Sequence, residues 1–303
     1  MFGRLSHINS RGVGGFTLIE MVVAIAVSGI LVAGIISYIG DSVVGYDTAA
    51  ERNKLAQDGR IAIDRLSVEL HNALPNSFRV SNATAAGDQC IEFVPVVATT
   101  SYINPPLDAA GSSFNVVEFN PTREGTSSGY IAIYPTQVNQ IYNAETGSGT
   151  GFPNTGPINT LSSIQDTSPS SAQQSLVTLA SSHRFSDPSP NNRLFLIEDP
   201  ISYCVKGSRL YRYTDYGFYN VQTTTEAATG VCSIGAGDRC LPSSSGGGSK
   251  MLIVDGINNS GITAFKLLPQ TLARNALVSI EFNFSKQNNT ILMNHQVLTR
   301  SVP

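Results

Sequence analysis

Twenty consecutive residues without a formal charge, Met21 to Gly40 (MVVAIAVSGILVAGIISYIG), constrain this chain more than any other feature, and the apolar run already begins at Phe16. At about 1.5 Å per helical residue the stretch crosses a hydrocarbon core about 30 Å thick, so it reads as a membrane span. Arg4 and Arg11 precede it and Asp41 follows directly. The positive-inside rule therefore leaves the N-terminus in the cytoplasm and exports the bulk of the chain. An ordinary secretory signal carries its small-residue cleavage site beyond the apolar region. Here the small residues, Gly14 and Gly15, come before it.

That inversion matters, because a cut between Gly15 and Phe16 on the cytoplasmic side removes only a short leader and keeps the whole hydrophobic helix. The hexapeptide Gly15-Phe-Thr-Leu-Ile-Glu20 resembles the class III signal of type IV prepilins. The resemblance implies a prepilin peptidase that cleaves after Gly15 and methylates the new amino group of Phe16. It also gives Glu20 a role. A carboxylate inside an apolar helix costs roughly 2.5 to 3.5 kcal/mol at the membrane centre, so it needs compensation. The plain solution is that Glu20, at the end of the span, reaches interfacial water. In the family the matching carboxylate meets the N-terminal amine of a neighbouring subunit; opposite charges attract strongly in low dielectric and set the axial register of one helix on the next.

The helical pattern continues past Asp41. Leu55, Ala62, Ile63, Leu66, Leu70 and Ala73 fall at helical spacing between charged residues such as Arg52, Asp58, Arg65 and Glu69, and Pro75 predicts the end. A continuous helix from Phe16 to Leu74 would run on the order of 90 Å. The first half, 16–40, is read as the membrane and filament part, and 41–74 as the exported part that packs on a globular body. Gly29, Gly34, Gly40 and Gly45 permit close helix approach in membranes or mark places where the helix bends.

Beyond Pro75 the chain changes character. Charged residues are only 14% of the sequence, against about 25% in a typical soluble domain. Short alternating or β-branched runs predict strands at Cys90–Val97, Phe114–Phe119, Tyr130–Tyr134, Ser175–Ala180, Arg193–Ile197, Ile201–Lys206, Arg209–Thr214, Ile262–Leu268, Ala276–Ser285 and Thr290–Thr299. Lys206-Gly207-Ser208 and Lys286-Gln287-Asn288-Asn289 read as hairpin turns. Residues 144–174, rich in Gly, Ser, Thr and Pro, and 241–249, LPSSSGGGS, read as flexible loops. The fold class is α+β: a long N-terminal transmembrane helix packed on a large antiparallel β-rich domain over 75–303.

Cys90, Cys204, Cys232 and Cys240 are an even number in an exported chain, which predicts two disulfides. No C-x2-C pair or suitably spaced His supports a zinc site. Three pairings are open. Closing Cys232 to Cys240 would staple a Gly-rich loop and leave Cys90 with Cys204.

No catalytic constellation emerges, and no cofactor or metal is expected. His7 lies in the leader, His71 on the exposed side of the helix, His183 in a polar stretch and His295 in the last strand, none beside a nucleophile in a motif context. Gly147-Ser-Gly-Thr-Gly151 lacks the Lys of a phosphate loop. Asp255-Gly-Ile-Asn-Asn-Ser-Gly261 offers oxygen ligands for calcium but only one carboxylate. Tyr203, Tyr211, Tyr213, Tyr216 and Tyr219 read as cross-strand packing, with a glycan-binding stripe as the sharper alternative. Net charge is −3; without the leader's two arginines it is −5, which gives no global attraction to nucleic acid.

Cys90-Ile-Glu-Phe-Val-Pro, Ile201-Ser-Tyr-Cys-Val-Lys-Gly followed by Leu210-Tyr-Arg-Tyr, the helix exit from Arg65 to Ser77, and the ending from His295 to Pro303 resemble the minor pilins of the mannose-sensitive haemagglutinin (MSHA) pilus. The resemblance covers 11–98 and parts of 193–303. It implies assembly initiation or a place at the pilus tip, with prepilin peptidase, other major and minor pilins and the inner-membrane assembly platform as partners. It also implies a single-pass inner-membrane precursor with its body in the periplasm, and a cell-surface location after assembly. A type II secretion pseudopilin and a tip adhesin acting through the two loops are the alternatives.

Overall fold

The computed structural model describes residues 15–118, 129–143, 151–166, 174–226, 240–243, 249–269, 276–286 and 289–299. The chain divides into two compact units, 1–51 and 52–303. One helix, α1 (Leu18–His71), runs from the first unit into the second.

In the first unit every residue from Gly15 to Ala50 is exposed. The helix continues unbroken through Gly29, Gly34, Gly40 and Gly45, and beyond the helix's own backbone a Cβ built at any of them meets no atom within 4 Å. Nothing inside the chain therefore requires glycine at those positions. Just past the apolar run, the hydroxyls of Ser42 and Thr48 donate back to the carbonyls of Tyr38 (2.7 Å) and Val44 (2.8 Å). These residues thus satisfy their polar groups without leaving the helix.

The second unit is α+β. After α1 come β1 (Arg79–Val80), β2 (Gln89–Phe93), β3 (Val96–Ser101), β4 (Gly111–Val117) and β5 (Tyr130–Ala132). A short helix, α2 (Val138–Ile141), precedes β6 (Ile158–Asp166), β7 (Gln174–His183), β8 (Arg193–Ile197), β9 (Ile201–Lys206) and β10 (Arg209–Thr214). The chain ends with β11 (Ser249–Asp255), β12 (Phe265–Leu268), β13 (Leu277–Lys286) and β14 (Asn289–Leu298). These form a five-stranded sheet β1-β2-β9-β10-β11, a six-stranded sheet β3-β8-β5-β6-β7-β4 and a three-stranded sheet β12-β13-β14. Every strand pairing is antiparallel. The outer strands of the six-stranded sheet meet at Tyr102 and Val116, where Ile103 N–H donates to Asn115 O (2.9 Å), so that sheet curls toward closure.

The expected apolar stripe of the helix is its buried face: Leu55, Ala62, Ile63, Leu66 and Leu70 share a core with Ile91 and Phe93 of β2, Tyr203 and Val205 of β9, and Ile280, Phe282 and Phe284 of β13. Each buried Leu, Ile, Val or Phe among them contributes about 1.5–3 kcal/mol by leaving water. Two side-chain amides stitch this core at its polar seams. Gln89 donates to Phe265 O (3.0 Å) and accepts from Phe265 N–H (2.8 Å), joining β2 to β12. Buried Asn259 donates to Glu281 O (2.9 Å) and accepts from Asn283 N–H (2.9 Å), imitating a strand along β13.

Several expectations are corrected. The segment 144–174 is not simply a loop, because it contains β6, with Ile158 and Leu161 buried, and Phe152 buried against Tyr130 and Phe218. A register irregularity between Leu161 and Ser163 spaces the apolar residues Ile158, Leu161 and Ile164 by three, which hides the period-two signature of a strand. In 241–249, Leu241 is fully buried and its N–H donates to Thr225 O (2.7 Å), while Ser249 opens β11. Residues 144–150, 167–173 and 244–248 lie outside the described residues. The expected strand Cys90–Val97 is two strands in different sheets, divided before Pro95, whose missing N–H cannot serve a ladder. The helix ends at His71, and Leu74 N–H already donates to Val94 O (2.7 Å).

Candidate assembly site on the N-terminal helix

Four of the residues that open the helix carry its chemistry. Thr17 stands directly before α1; its Oγ1 accepts from the N–H of Glu20 (3.3 Å), and its carbonyl accepts from Glu20 (3.1 Å) and Met21 (3.2 Å). Thr17 is thus the N-cap, and Glu20 sits three residues inside the first turn. An acidic side chain there lies in the positive end of the helix dipole, an arrangement worth about 0.3–1 kcal/mol. The Ser/Thr-x-x-Glu capping spacing is present in Thr17-Leu-Ile-Glu20, so Thr17 joins Glu20 as a residue that shapes the start of the helix, a role the motif alone does not single out.

Gly15, Phe16 and Glu20 are all exposed, and Phe16 keeps 79% of its surface. A Cβ at Gly15 would touch nothing in the chain. Among the described residues the Glu20 carboxylate has no partner of its own. Among the described residues nothing packs against these three positions. An amine generated at Phe16 would stand at the positive end of the helix, where a cation is disfavoured.

The structure joins Cys90 of β2 to Cys204 of β9, which face each other in register. Cys240 is disulfide-bonded as well, and its expected partner, Cys232, lies outside the described residues. Tyr203, Tyr213, Tyr216 and Tyr219 are buried rather than arrayed on a surface.

Elsewhere several polar groups are engaged with one another. Glu92, buried in β2, accepts from Arg79 and from Tyr216 (3.0 Å), while the Arg79 guanidinium lies 3.7 Å over the Tyr142 ring. Burial pushes the Glu92 carboxyl up, against the pull of the Arg79 hydrogen bond and charge. Asp255 is taken up by Gly256 N–H (2.8 Å), Ser208 and Arg209. With Asn259 committed to β13, the calcium-like loop 255–261 does not converge on a cation. A cleft of about 490 Å3 lined by Tyr130, Glu198, Asp199, Arg212 and Asp215 is polar. Arg212 there is bound to Glu69 (3.0 Å), and Tyr130 donates to Asp199 (2.9 Å). Among the described residues no group of three or more His, Cys, Asp or Glu side chains is arranged to hold a metal. His183 is buried, with Nδ1 3.1 Å from Pro153 O and Nε2 2.9 Å from Gly156 O; His71 is exposed and bonded to Ser67 O. Gly147-Ser-Gly-Thr lies outside the described residues up to Gly151.

A family model described as the prokaryotic N-terminal methylation motif matches residues 10–36. No curated protein and no solved structure matches the chain. The N-terminal segment is type IV pilin-like, and its helix is long and apolar enough to cross a membrane.

Proposed function

We propose that this chain is a minor pilin of an MSHA-type type IV pilus, close in kind to MshO, acting when the pilus is initiated or at its tip. The carrying observation is that the methylation motif opens a single helix, Leu18–His71, whose far half is built into the core of a β-rich body. That is the construction of a subunit that polymerises through its helix. In this reading the prepilin peptidase cuts after Gly15 and methylates Phe16. Glu20 then receives the amine of a neighbouring pilin, and the assembly platform extracts the helix from the inner membrane. The body stands in the periplasm before assembly and on the cell surface after it. The two disulfides suit such an oxidising destination.

The test has two parts. Peptide mapping of the membrane fraction should find a chain starting at methylated Phe16, and a chain starting at Met1 when the peptidase is deleted. A clean deletion of this subunit should abolish or sharply reduce surface pili. Undiminished pili would remove the initiation role; loss of enzyme secretion instead would assign the chain to a type II secretion machine as a pseudopilin. The burial of Phe152, Ile158, Leu161 and Leu241 leaves less of the two segments free to act as an adhesive surface.

A further inference from the structure

An oxidant turns methionine polar without cutting or moving the chain, so the consequence depends on what surrounds each sulfur. The sequence has four methionines: Met1 in the leader, Met21 in the apolar helix, Met251 in β11 and Met293 in β14. The two in the exported body are placed very differently. Met293 is half-buried, and a Cβ added at Gly59 would stand 2.6 Å from its sulfur and 2.7 Å from the ring of Phe284. Oxygen added to that sulfur would enter the packing of α1 against β13 and β14.

Met251 stands on the outer strand of the five-stranded sheet and keeps 38% of its surface. Its sulfur accepts from Nη1 of Arg65 on α1 at 3.4 Å. Nε of the same guanidinium lies 3.5 Å from Glu69. Glu69 in turn accepts from Arg212 of β10 (3.0 Å), the residue directly opposite Met251 in the β10–β11 register. One carboxylate is thus shared by two guanidinium groups, and Met251 lies beside the cationic excess where α1 meets the sheet. A thioether is a weak acceptor, so the charged donor of Arg65 is poorly matched there.

We infer that Met251 is an oxidation site whose sulfoxide is held by Arg65, so that oxidation tightens the seam between α1 and β11. The oxidant is a peroxide. Sulfur gives an electron pair to one peroxide oxygen as the O–O bond breaks, and the departing hydroxide takes the proton from the transferred oxygen and leaves as water. Sulfur is oxidised by two electrons and the peroxide is reduced by two. Sulfur has two lone pairs, so the contact with Arg65 leaves one for this attack, and the guanidinium beside it stabilises the departing hydroxide. Three rotatable bonds then let the Met251 side chain turn its new oxygen toward Arg65. That oxygen is a strong acceptor, and a hydrogen bond to it from a guanidinium is charge-assisted, roughly twice as strong as a neutral one. Methionine sulfoxide is reducible enzymatically, so the tightening is reversible. None of this depends on which machine the chain joins.

The experiment uses the full chain in detergent micelles, treated with hydrogen peroxide at a dose that converts one methionine. Peptide mapping should find the sulfoxide forming about tenfold faster at Met251 than at Met293, following exposure. The urea midpoint of the exported body should then rise in the wild-type chain. Arg65→Gln should show no rise on the same oxidation, and Met251→Leu should show no shift at the same dose. Peptide mapping that finds the Cys90–Cys204 bridge intact certifies the fold of each variant. Equal oxidation at the two sites overturns the inference, as does a wild-type midpoint that falls or stays fixed. A rise that persists in Arg65→Gln overturns it too, because another group would then hold the oxygen. Processing at Phe16 bears on neither outcome, so this reading and the pilin reading fail separately.

Discussion

Gly59 of α1 lies so close to Met293 of β14 that a Cβ added there would sit 2.6 Å from the sulfur and 2.7 Å from Cε2 of Phe284. Glycine is a poor helix former, worth about 1 kcal/mol less than alanine in a helix interior. Its presence in the buried face therefore reflects the distance of closest approach rather than local preference.

Gly59→Ala should destabilise the protein, since overpacking costs about 1–3 kcal/mol and exceeds the propensity gain. Adding Met293→Ala should recover part of the loss. Urea unfolding of the four combinations measures the coupling; strictly additive effects would deny the contact.

Glu226 predicts an acid sensitivity. Burial raises its carboxyl, but hydrogen bonds from Lys250 (2.8 Å) and Tyr213 and the charges of Lys206 and Lys250 outweigh this and hold it below the usual 4.5. A carboxyl depressed on folding adds stability that is complete above about pH 4.5 and is lost as pH falls through the lower folded value. Glu226→Gln should flatten that part of the stability curve below pH 4.5, measured by denaturant midpoints at fixed salt, and should lower stability most at neutral pH.

The Cys90–Cys204 bridge spans 114 residues of chain. On the loop-entropy account its removal costs about 3–5 kcal/mol. Replacing both cysteines by serine should lower the thermal midpoint strongly and raise protease sensitivity of the exported body. An unchanged midpoint would mean that β2 and β9 hold register without the bond.

Thr17→Ala should weaken the start of α1 by about 1 kcal/mol, and Thr17→Ser should preserve it. Hydrogen exchange at the Glu20 amide reports this directly, with a rise of about fivefold for alanine and little for serine. Glu20→Gln should leave cleavage after Gly15 intact while reducing entry into filaments, scored on sheared pili by immunoblot.

How much of this was legible depends on the range of the interaction. The bounds of β8, β9 and β10 are those read from alternation and from the Gly207 turn, because hairpins are local and Gly207 has the positive φ that its turn requires. Three strands were missed. β1 is too short to carry a pattern, β6 is disguised by its bulge, and Lys250-Met-Leu-Ile-Val of β11 follows a Gly-rich run that masked it. Of the candidate site, Gly15, Phe16 and Glu20 were read from a motif, whereas the capping role of Thr17 was present in the same six letters and needed helix geometry to be recognised.

The apolar helix, its buried stripe from Leu55 to Leu70 and the predominance of β structure follow from residue order alone, because each rests on periodicity within a few turns or a few strand residues. That Cys90 faces Cys204, that Gln89 joins two sheets while Asn259 lines β13, and that Gly59 must be small emerge only when the chain is folded. Those facts depend on which distant segments meet. Alternation specifies which side of a strand is buried, but it carries no information about the strand or helix on the other side.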